Sequence, residues 1–97
     1  MDENVSIERH EEMVRALFEE KSLEAFIFLI EAGRELELKH CGEIYFISKD
    51  GSRKYVSIWS GEKERSFESV QTLIEQMSVN MKPFISVWKE VEILTLF

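Results

Sequence analysis

The feature that most constrains the fold is a change of hydrophobic period at Gly33. Before this glycine, apolar residues recur every three or four positions, which is typical of helices. After it, apolar and polar residues alternate in three runs, at residues 34–39, 43–48 and 53–60, which is typical of strands. Glycine-containing turns separate the three runs, so the sequence predicts helices followed by an antiparallel β-meander.

Two helices are predicted before Gly33. The first begins at the capping residue Ser6 and has an inward stripe made of Ile7, His10, Met13, Val14, Leu17 and Phe18. The second covers residues 23–32 and is capped by Ser22. It is apolar around nearly its whole circumference, so we expect it in the interior of the protein.

The length of the turns sets the register of the meander. We expect three-residue loops at 40–42 and 49–51, with Gly42 and Gly51 in the left-handed conformation. This register pairs Lys39 with Glu43 and Ser48 with Ser52, and it makes one face uniformly apolar through Leu36, Leu38, Ile44, Phe46, Val56 and Ile58. A two-residue loop would place Leu38 opposite Tyr45 and mix the faces, so the three-residue loop is preferred.

The remainder of the chain completes an α+β fold. A tight turn at Gly61-Glu62 brings Phe67 beside Val56 on a short fourth strand. We expect one domain over residues 1–97, because a chain of this length buries a single core. Its parts are N-terminal helices at about 6–32, a sheet at about 34–67, helices at about 69–91 and a terminal strand at about 92–97, with the helices on one face of a four- to five-stranded antiparallel sheet.

The reverse face of the predicted sheet is the candidate functional surface. The expected register gives it an aromatic centre and a charged surround, which is typical of a protein-binding surface. The candidate partner-binding residues are Tyr45, Ile47, Arg53, Tyr55 and Trp59. Two alternatives stay open: the aromatic rings stabilise the sheet alone, or the N-terminal helix folds over them.

Charge restricts the partners of this surface. The chain has 19 acidic and 12 basic residues, and the whole excess lies in the first 37 residues. The excess is explained by acidic side chains at the solvent-exposed start of a helix, where the helix dipole favours negative charge. The alternative is an acidic patch that binds a basic partner. A second copy of the chain or another protein is the expected partner. Single-stranded nucleic acid is the alternative, and the acidic balance weakens it because phosphate binding usually shows a basic excess.

The sequence predicts no enzyme, metal or cofactor. His40 and Cys41 are adjacent, which is not a zinc-ligand spacing, and no residue set identifies an activated thiol. Glu35 and Glu37 share a strand face, so a carboxylate enzyme is the third hypothesis, although a flat sheet offers no cleft. We also expect each of the four glycines to form a turn or to end a helix, which leaves no phosphate-binding loop.

The expected location is the cytoplasm. The longest nearly uninterrupted apolar run covers eight residues, 23–30, whereas a membrane-spanning helix needs about 20. The N-terminus is acidic, unlike a secretory signal. Cys41 is the single cysteine, so no intrachain disulfide can form.

One set of spaced residues resembles a known group of proteins. It consists of Gly33-Arg34-Glu35, Gly42, Tyr45, Trp59, Ser66-Phe67-Glu68 and Trp88-Lys89-Glu90-Val91. Over residues 31–93 the chain resembles a family of small uncharacterised proteins of Gram-positive bacteria. The resemblance implies a helix, a hairpin sheet, a short helix pair and an ending around tryptophan. It implies no activity, ligand or site.

Overall fold

A computed structural model describes residues 3–49, 55–79 and 81–97, with side chains from residue 8 onward. The α+β class is confirmed. The helices are α1 (Glu3–Glu20), α2 (Leu23–Glu31), α3 (Val70–Gln76), α4 (Phe84–Val87) and a 3-10 turn (Trp88–Glu90). The strands are β1 (Leu36–His40), β2 (Glu43–Lys49), β3 (Val56–Ser60), β4 (Lys63–Phe67), β5 (Ser78–Val79), β6 (Lys82–Pro83) and β7 (Glu92–Leu96).

The main sheet has five antiparallel strands in the order β4-β3-β2-β1-β7. The terminal strand β7 therefore lies beside β1, and β4 and β7 are the two edges. The helices cover one face of this sheet, which confirms the predicted layering. Strands β5 and β6 form a separate two-stranded hairpin that the sequence pattern did not predict.

Side-chain caps explain where two of the helices begin. The Ser22 hydroxyl accepts a hydrogen bond of 3.1 Å from the backbone N–H of Ala25 at the start of α2. Ser69 caps α3 in the same way, through a 3.0 Å hydrogen bond from the N–H of Thr72. The prediction for α1 was wrong in detail, because this helix begins at Glu3 and already contains the expected cap Ser6.

An aromatic cluster joins the helices beneath the sheet. The Phe26 ring lies 5.0 Å from the Trp88 ring and 5.8 Å from the Phe84 ring, measured between centroids. All three side chains are buried. The expectation that α2 is interior is confirmed at four positions, since Ala25, Phe26, Leu29 and Ile30 are buried. Such packing of large rings provides much of the stability of a small core.

The predicted register of the β1–β2 hairpin is wrong. The loop has two residues, Cys41 and Gly42, and His40 pairs with Glu43. Both loop residues have positive φ, 49° for Cys41 and 83° for Gly42. This is the signature of a type I′ turn, whose twist suits the two strands it connects. Leu38 consequently lies opposite Tyr45, which is the pairing that the sequence analysis rejected.

The β2–β3 pairing differs from the prediction as well. Ser48 pairs with Ser57 rather than Ser52, and the described part of β3 begins at Val56. The predicted loop at 49–51 falls largely on residues 50–54, which lie outside the described residues. The next turn is as predicted: Gly61 has a φ of 62° in a two-residue turn, and Phe67 pairs with Val56.

Candidate functional site

The sheet has an inner face against the helices and an outer face away from them. Because successive side chains of a strand point to opposite faces, a one-residue change of register exchanges the two sets. The corrected β1–β2 register therefore changes which residues can bind a partner. We use "outer face" for the surface of the sheet that points away from the helices. It is formed by Glu37 and Lys39 of β1, Ile44 and Phe46 of β2, Tyr55 directly before β3, Ser57 and Trp59 of β3, Glu64 and Ser66 of β4, and Glu92, Thr95 and Phe97 of the C-terminal segment.

Two of the predicted partner-binding residues, Tyr45 and Ile47, belong to the core and not to the outer face. The Tyr45 side chain is 6% exposed, and Ile47 is fully buried. The physical reason is the two-residue turn, since Cys41 accepts a left-handed conformation and shortens the loop by one residue. The prediction that Tyr45 and Ile47 lie on the face away from the helices is therefore wrong.

Tyr55 and Trp59 stay on the outer face, as predicted. They are 53% and 38% exposed, so the N-terminal helix does not bury them. Arg53, the fifth predicted residue, lies outside the described residues. The structure thus keeps two of the predicted residues on one surface, Tyr55 directly before β3 and Trp59 within it.

Sequence reasoning missed three apolar residues of the outer face. Phe46 pairs directly with Trp59 across β2 and β3, which brings their Cβ atoms to about 5 Å. The Phe97 ring packs edge-on against Phe46, with 5.9 Å between centroids. Ile44, two residues from Phe46 on the same strand, is 50% exposed. A signal for them was present, because Cys41-Gly42 is also a possible two-residue turn, and that turn exposes Ile44 and Phe46.

The C-terminal segment is fixed to the sheet by polar contacts. The backbone N–H of Phe97 donates to the carbonyl oxygen of Glu35 at 2.8 Å. The Arg34 guanidinium donates to the carbonyl oxygen of Phe97 and, at 2.7 Å, to Nε2 of His10 on α1. These bonds hold the Phe97 ring in place beside Phe46, so the aromatic group of the outer face is ordered by the fold itself.

Charges of mainly one sign surround this aromatic group. The described part of the outer face carries Glu37, Glu64 and Glu92, with Glu35 at its margin, and one cation, Lys39. Lys39 pairs with Glu92 across β1 and β7. In its described part the outer face is therefore apolar at its centre and acidic around it, which is the opposite of what a phosphate backbone requires.

A second group of reactive side chains lies at the β1–β2 turn. His40 is 4% exposed, because it belongs to β1 and not to the predicted loop at 40–42, and the corrected register points it inward. Its Nε2 atom lies 3.2 Å from a Glu90 carboxylate oxygen and 3.8 Å from the Cys41 sulfur. A nucleophile–base–acid arrangement uses the two different ring nitrogens of histidine. In this protein the same atom, Nε2 of His40, faces both the Cys41 sulfur and the Glu90 carboxylate. The geometry therefore does not match a catalytic nucleophile–base–acid arrangement.

Tyr45 borders the same region. Its hydroxyl donates a hydrogen bond to a Glu43 carboxylate oxygen. Burial of the phenol, then this hydrogen bond and the negative charge of Glu43, raise the pKa of Tyr45 to about 12. The side chain consequently remains a neutral hydrogen-bond donor at physiological pH. Tyr45 therefore holds the Glu43 carboxylate in position through its hydrogen bond and does not act as a general base.

Metal and carboxylate chemistry find little support in the described parts of the chain. No cluster of three or more His, Cys, Asp or Glu side chains is arranged there to hold a metal ion. Glu35 is exposed, and Glu37 accepts a 3.4 Å hydrogen bond from the Thr95 hydroxyl on an open sheet face. A carboxylate acid catalyst needs a desolvated cleft, and this face does not enclose one.

Neither the helices nor known relatives assign a function to this chain. None of the helices formed by the described residues is long and apolar enough to cross a membrane. Comparison with protein-family models, with curated proteins and with solved structures finds no match to this chain. The resemblance to a Gram-positive family stays a prediction, and the assignment of function rests on the geometry of the outer face.

Proposed function

We propose that this protein is a non-enzymatic, cytoplasmic interaction module that binds a protein partner through the outer face. The observation that carries the proposal is the aromatic pair Phe46 and Trp59, extended by Phe97, on a face that the helices leave uncovered. Large rigid rings provide contact area at a low entropic cost and dominate the energetics of many interfaces. The exposed free thiol of Cys41 suits a reducing compartment.

Charge complementarity indicates the chemistry of the partner. Two outer faces brought together by a twofold axis would place acidic rims against each other, because among the described residues of this face the carboxylates outnumber the single cation, Lys39. Like charges across an interface are costly, so a second copy is disfavoured. The favoured partner presents apolar side chains flanked by Lys and Arg. Single-stranded nucleic acid, the alternative, is disfavoured by the same charges.

The dimensions of the outer face indicate a weak complex. Five strands at about 4.8 Å spacing and five residues at about 3.4 Å rise give a surface of roughly 19 by 17 Å, or about 320 Å². A stable complex buries about 800 Å² on each partner. We therefore propose a transient interaction, or a partner that extends beyond the sheet edges.

A photo-crosslinking experiment tests the proposal. A benzoylphenylalanine placed at Ile44 is expected to form an adduct with a protein in the cells that produce this chain, and the adduct should disappear when Trp59→Ser is added. The matched control is the same probe at Ile85, an isoleucine of α4 that is 56% exposed on another surface. Equal adducts from both positions would contradict a site on the outer face.

Two further measurements separate the alternatives. Sedimentation of the purified chain should give a monomer. A dimer that dissociates on Trp59→Ser would instead identify a second copy of the chain, and not a basic protein, as the partner of the outer face. Retention on single-stranded oligonucleotides at low salt, with steep loss as salt rises, would favour nucleic acid instead.

A further inference from the structure

A small cavity lies on the inner side of the sheet, away from the outer face. It is half open to solvent, is bordered by strands β3 and β4 and by the junction of α3 with β5, and has a volume of about 140 Å³. It is lined by Tyr45, Ile58, Ser60, Lys63, Arg65, Met77 and Ser78. The side chains divide into an apolar floor and a basic rim.

The floor consists of three buried side chains. Tyr45, Ile58 and Met77 are 6%, 3% and 3% exposed. They come from β2, β3 and the end of α3, so the main sheet and the helix layer both contribute. An apolar group that binds in the cavity would remove its apolar surface from water. Burial of apolar surface in a preformed pocket is the usual driving force for small-ligand binding.

The rim consists of two cations on the edge strand. Lys63 pairs with Ser60 and Arg65 pairs with Ile58, so both side chains lie on the inner side of β4 two residues apart. In the described parts of the chain, neither cation forms an ion pair within 4 Å. The Arg65 guanidinium instead lies over the Phe67 ring, 5.6 Å from its centroid.

Among the residues that the structure describes, no acidic side chain lines the cavity. This is unusual in a chain whose net charge is −7. Tyr45 is a neutral phenol, and the Glu43 carboxylate behind it already accepts the hydrogen bond of its hydroxyl. Ser60 and Ser78 supply hydroxyl groups that can donate to an anion. The described lining residues therefore carry two positive charges, from Lys63 and Arg65, in a protein that is acidic as a whole.

We infer that the cavity binds a small carboxylate carried by one ring-sized apolar group, with the carboxylate at Lys63 and Arg65 and the apolar group on Tyr45, Ile58 and Met77. The volume decides the size, since a cavity of about 150 Å³ accommodates one benzene ring. Drug-sized ligands need about 300 Å³ or more. This site is independent of the proposed partner surface, because it opens on the other side of the sheet.

A rival explanation assigns the two cations a protective role. Inward-pointing charges on an edge strand hinder pairing with another chain. That explanation predicts that removal of the charges promotes aggregation without any change in ligand binding. The carboxylate site predicts a change in binding, so the two explanations are distinguishable.

The test is a titration of the full chain with phenylacetate, followed through the backbone amide signals by NMR. We expect saturable shifts at Ser60, Arg65 and Ser78, with a dissociation constant in the millimolar range or tighter for so small a ligand. Arg65→Gln and Lys63→Gln should each weaken binding about fivefold, as for one ionic contact at a partly exposed site. The control Lys39→Gln removes the same charge from the outer face and should leave binding unchanged.

A cavity-filling variant gives a second, independent measurement. Ser60→Met places a flexible apolar side chain in the cavity and should abolish the phenylacetate shifts while the amide spectrum remains folded. Phenylethanol and benzylamine, which lack the carboxylate, should bind much more weakly. Equal binding of phenylethanol, unchanged binding by the Arg65 and Lys63 variants, or the absence of saturable shifts would each overturn the inference.

Discussion

The indole nitrogen of Trp88 donates a 2.7 Å hydrogen bond to the carbonyl oxygen of Lys21, which lies 67 residues earlier in the chain. Lys21 has a φ of 52°, so the link between α1 and α2 adopts a conformation that is rare for a side-chain-bearing residue. The Lys21 ammonium group in turn donates to the carbonyl oxygen of Lys89 at 2.9 Å. These two bonds connect the N-terminal helices to the 3-10 turn before β7.

Trp88→Phe is expected to lower the free energy of unfolding by about 1–3 kcal/mol, because a partly buried carbonyl oxygen loses its donor. Urea denaturation measures the change. The matched control is Trp59→Phe, a change at the other tryptophan of the chain, which lies on the outer face. That change should cost less than about 0.5 kcal/mol, as for most surface substitutions. Similar losses from both variants would contradict the position of Trp88 in the core.

Substitutions at Cys41 test the two-residue turn. Asparagine tolerates the left-handed conformation and Asn-Gly favours type I′ turns, so Cys41→Asn should stabilise the protein by about 0.5–1 kcal/mol. Cys41→Val should destabilise it by about 1–2 kcal/mol, because a β-branched residue resists positive φ. Thermal unfolding under reducing conditions gives both values. Equal melting temperatures for the two variants would favour the three-residue loop.

Two isoleucines of β2 report which face is buried. Ile44 is 50% exposed and Ile47 is fully buried, three residues further along the same strand. Ile47→Ser is expected to cost about 3 kcal/mol or more, since it leaves a cavity and a buried hydroxyl. Ile44→Ser should cost less than about 1 kcal/mol. Chemical denaturation of both variants decides the register, and the reversed order of losses would restore the three-residue loop.

The chain has two tyrosines, so Tyr55→Phe leaves Tyr45 as its single phenol. In this variant the ultraviolet absorbance of phenolate should appear only as the pH rises toward about 12, since burial and Glu43 raise the pKa of Tyr45 above the ordinary value of 10.0. Because the pKa is raised in the folded state, the contribution of Tyr45 to stability is complete below pH 10 and is lost as the pH rises through about 12.

Tyr45→Phe is the control for that pH dependence. It should lack the part of the alkaline loss of stability that Tyr45 causes, while the titration of lysines and of Tyr55 remains. A phenolate signal with the pKa of a free tyrosine in the Tyr55→Phe variant would contradict the burial of Tyr45.

Arg34 bridges α1 and the C-terminal residue through two different atoms of its guanidinium group, Nε to the Phe97 carbonyl oxygen and Nη1 to His10. Arg34→Lys keeps the charge but loses the planar arrangement of donors that reaches both acceptors. We expect a loss of about 1–2 kcal/mol and faster amide hydrogen exchange at the end of β7. Unchanged exchange at Phe97 would show that its backbone bonds to Glu35 suffice.

Local signals in the sequence determined the class and order of the elements. The all-apolar run before Gly33 predicted the interior helix α2, and the hydroxyl of Ser22 marked a helix start that the structure shows as a cap. The alternating runs predicted an antiparallel meander on one side of a helix layer. These signals are readable because helical and strand periods, caps and glycine turns depend on near neighbours in the chain.

The register could not be read from the same signals. Both turn lengths at Cys41-Gly42 are compatible with the residues, and uniform apolarity favoured the wrong one. The structure shows instead that Tyr45 can enter the core, because Glu43 accepts the hydrogen bond of its hydroxyl. A buried tyrosine with a partner for its hydroxyl costs little, so the count of apolar residues on each face was an insufficient criterion.

The sequence by itself thus determined that this protein has two N-terminal helices, a meander, further helices after it and a sheet with one aromatic surface away from its helices. Only the tertiary structure decided that Phe46 and Phe97, and not Tyr45 and Ile47, accompany Trp59 on that surface. The reason is that strand side chains alternate with a period of two, so one residue more or less in a turn exchanges the buried and exposed sets. That choice depends on the packing of the whole core and on β7, which joins the sheet from the far end of the chain.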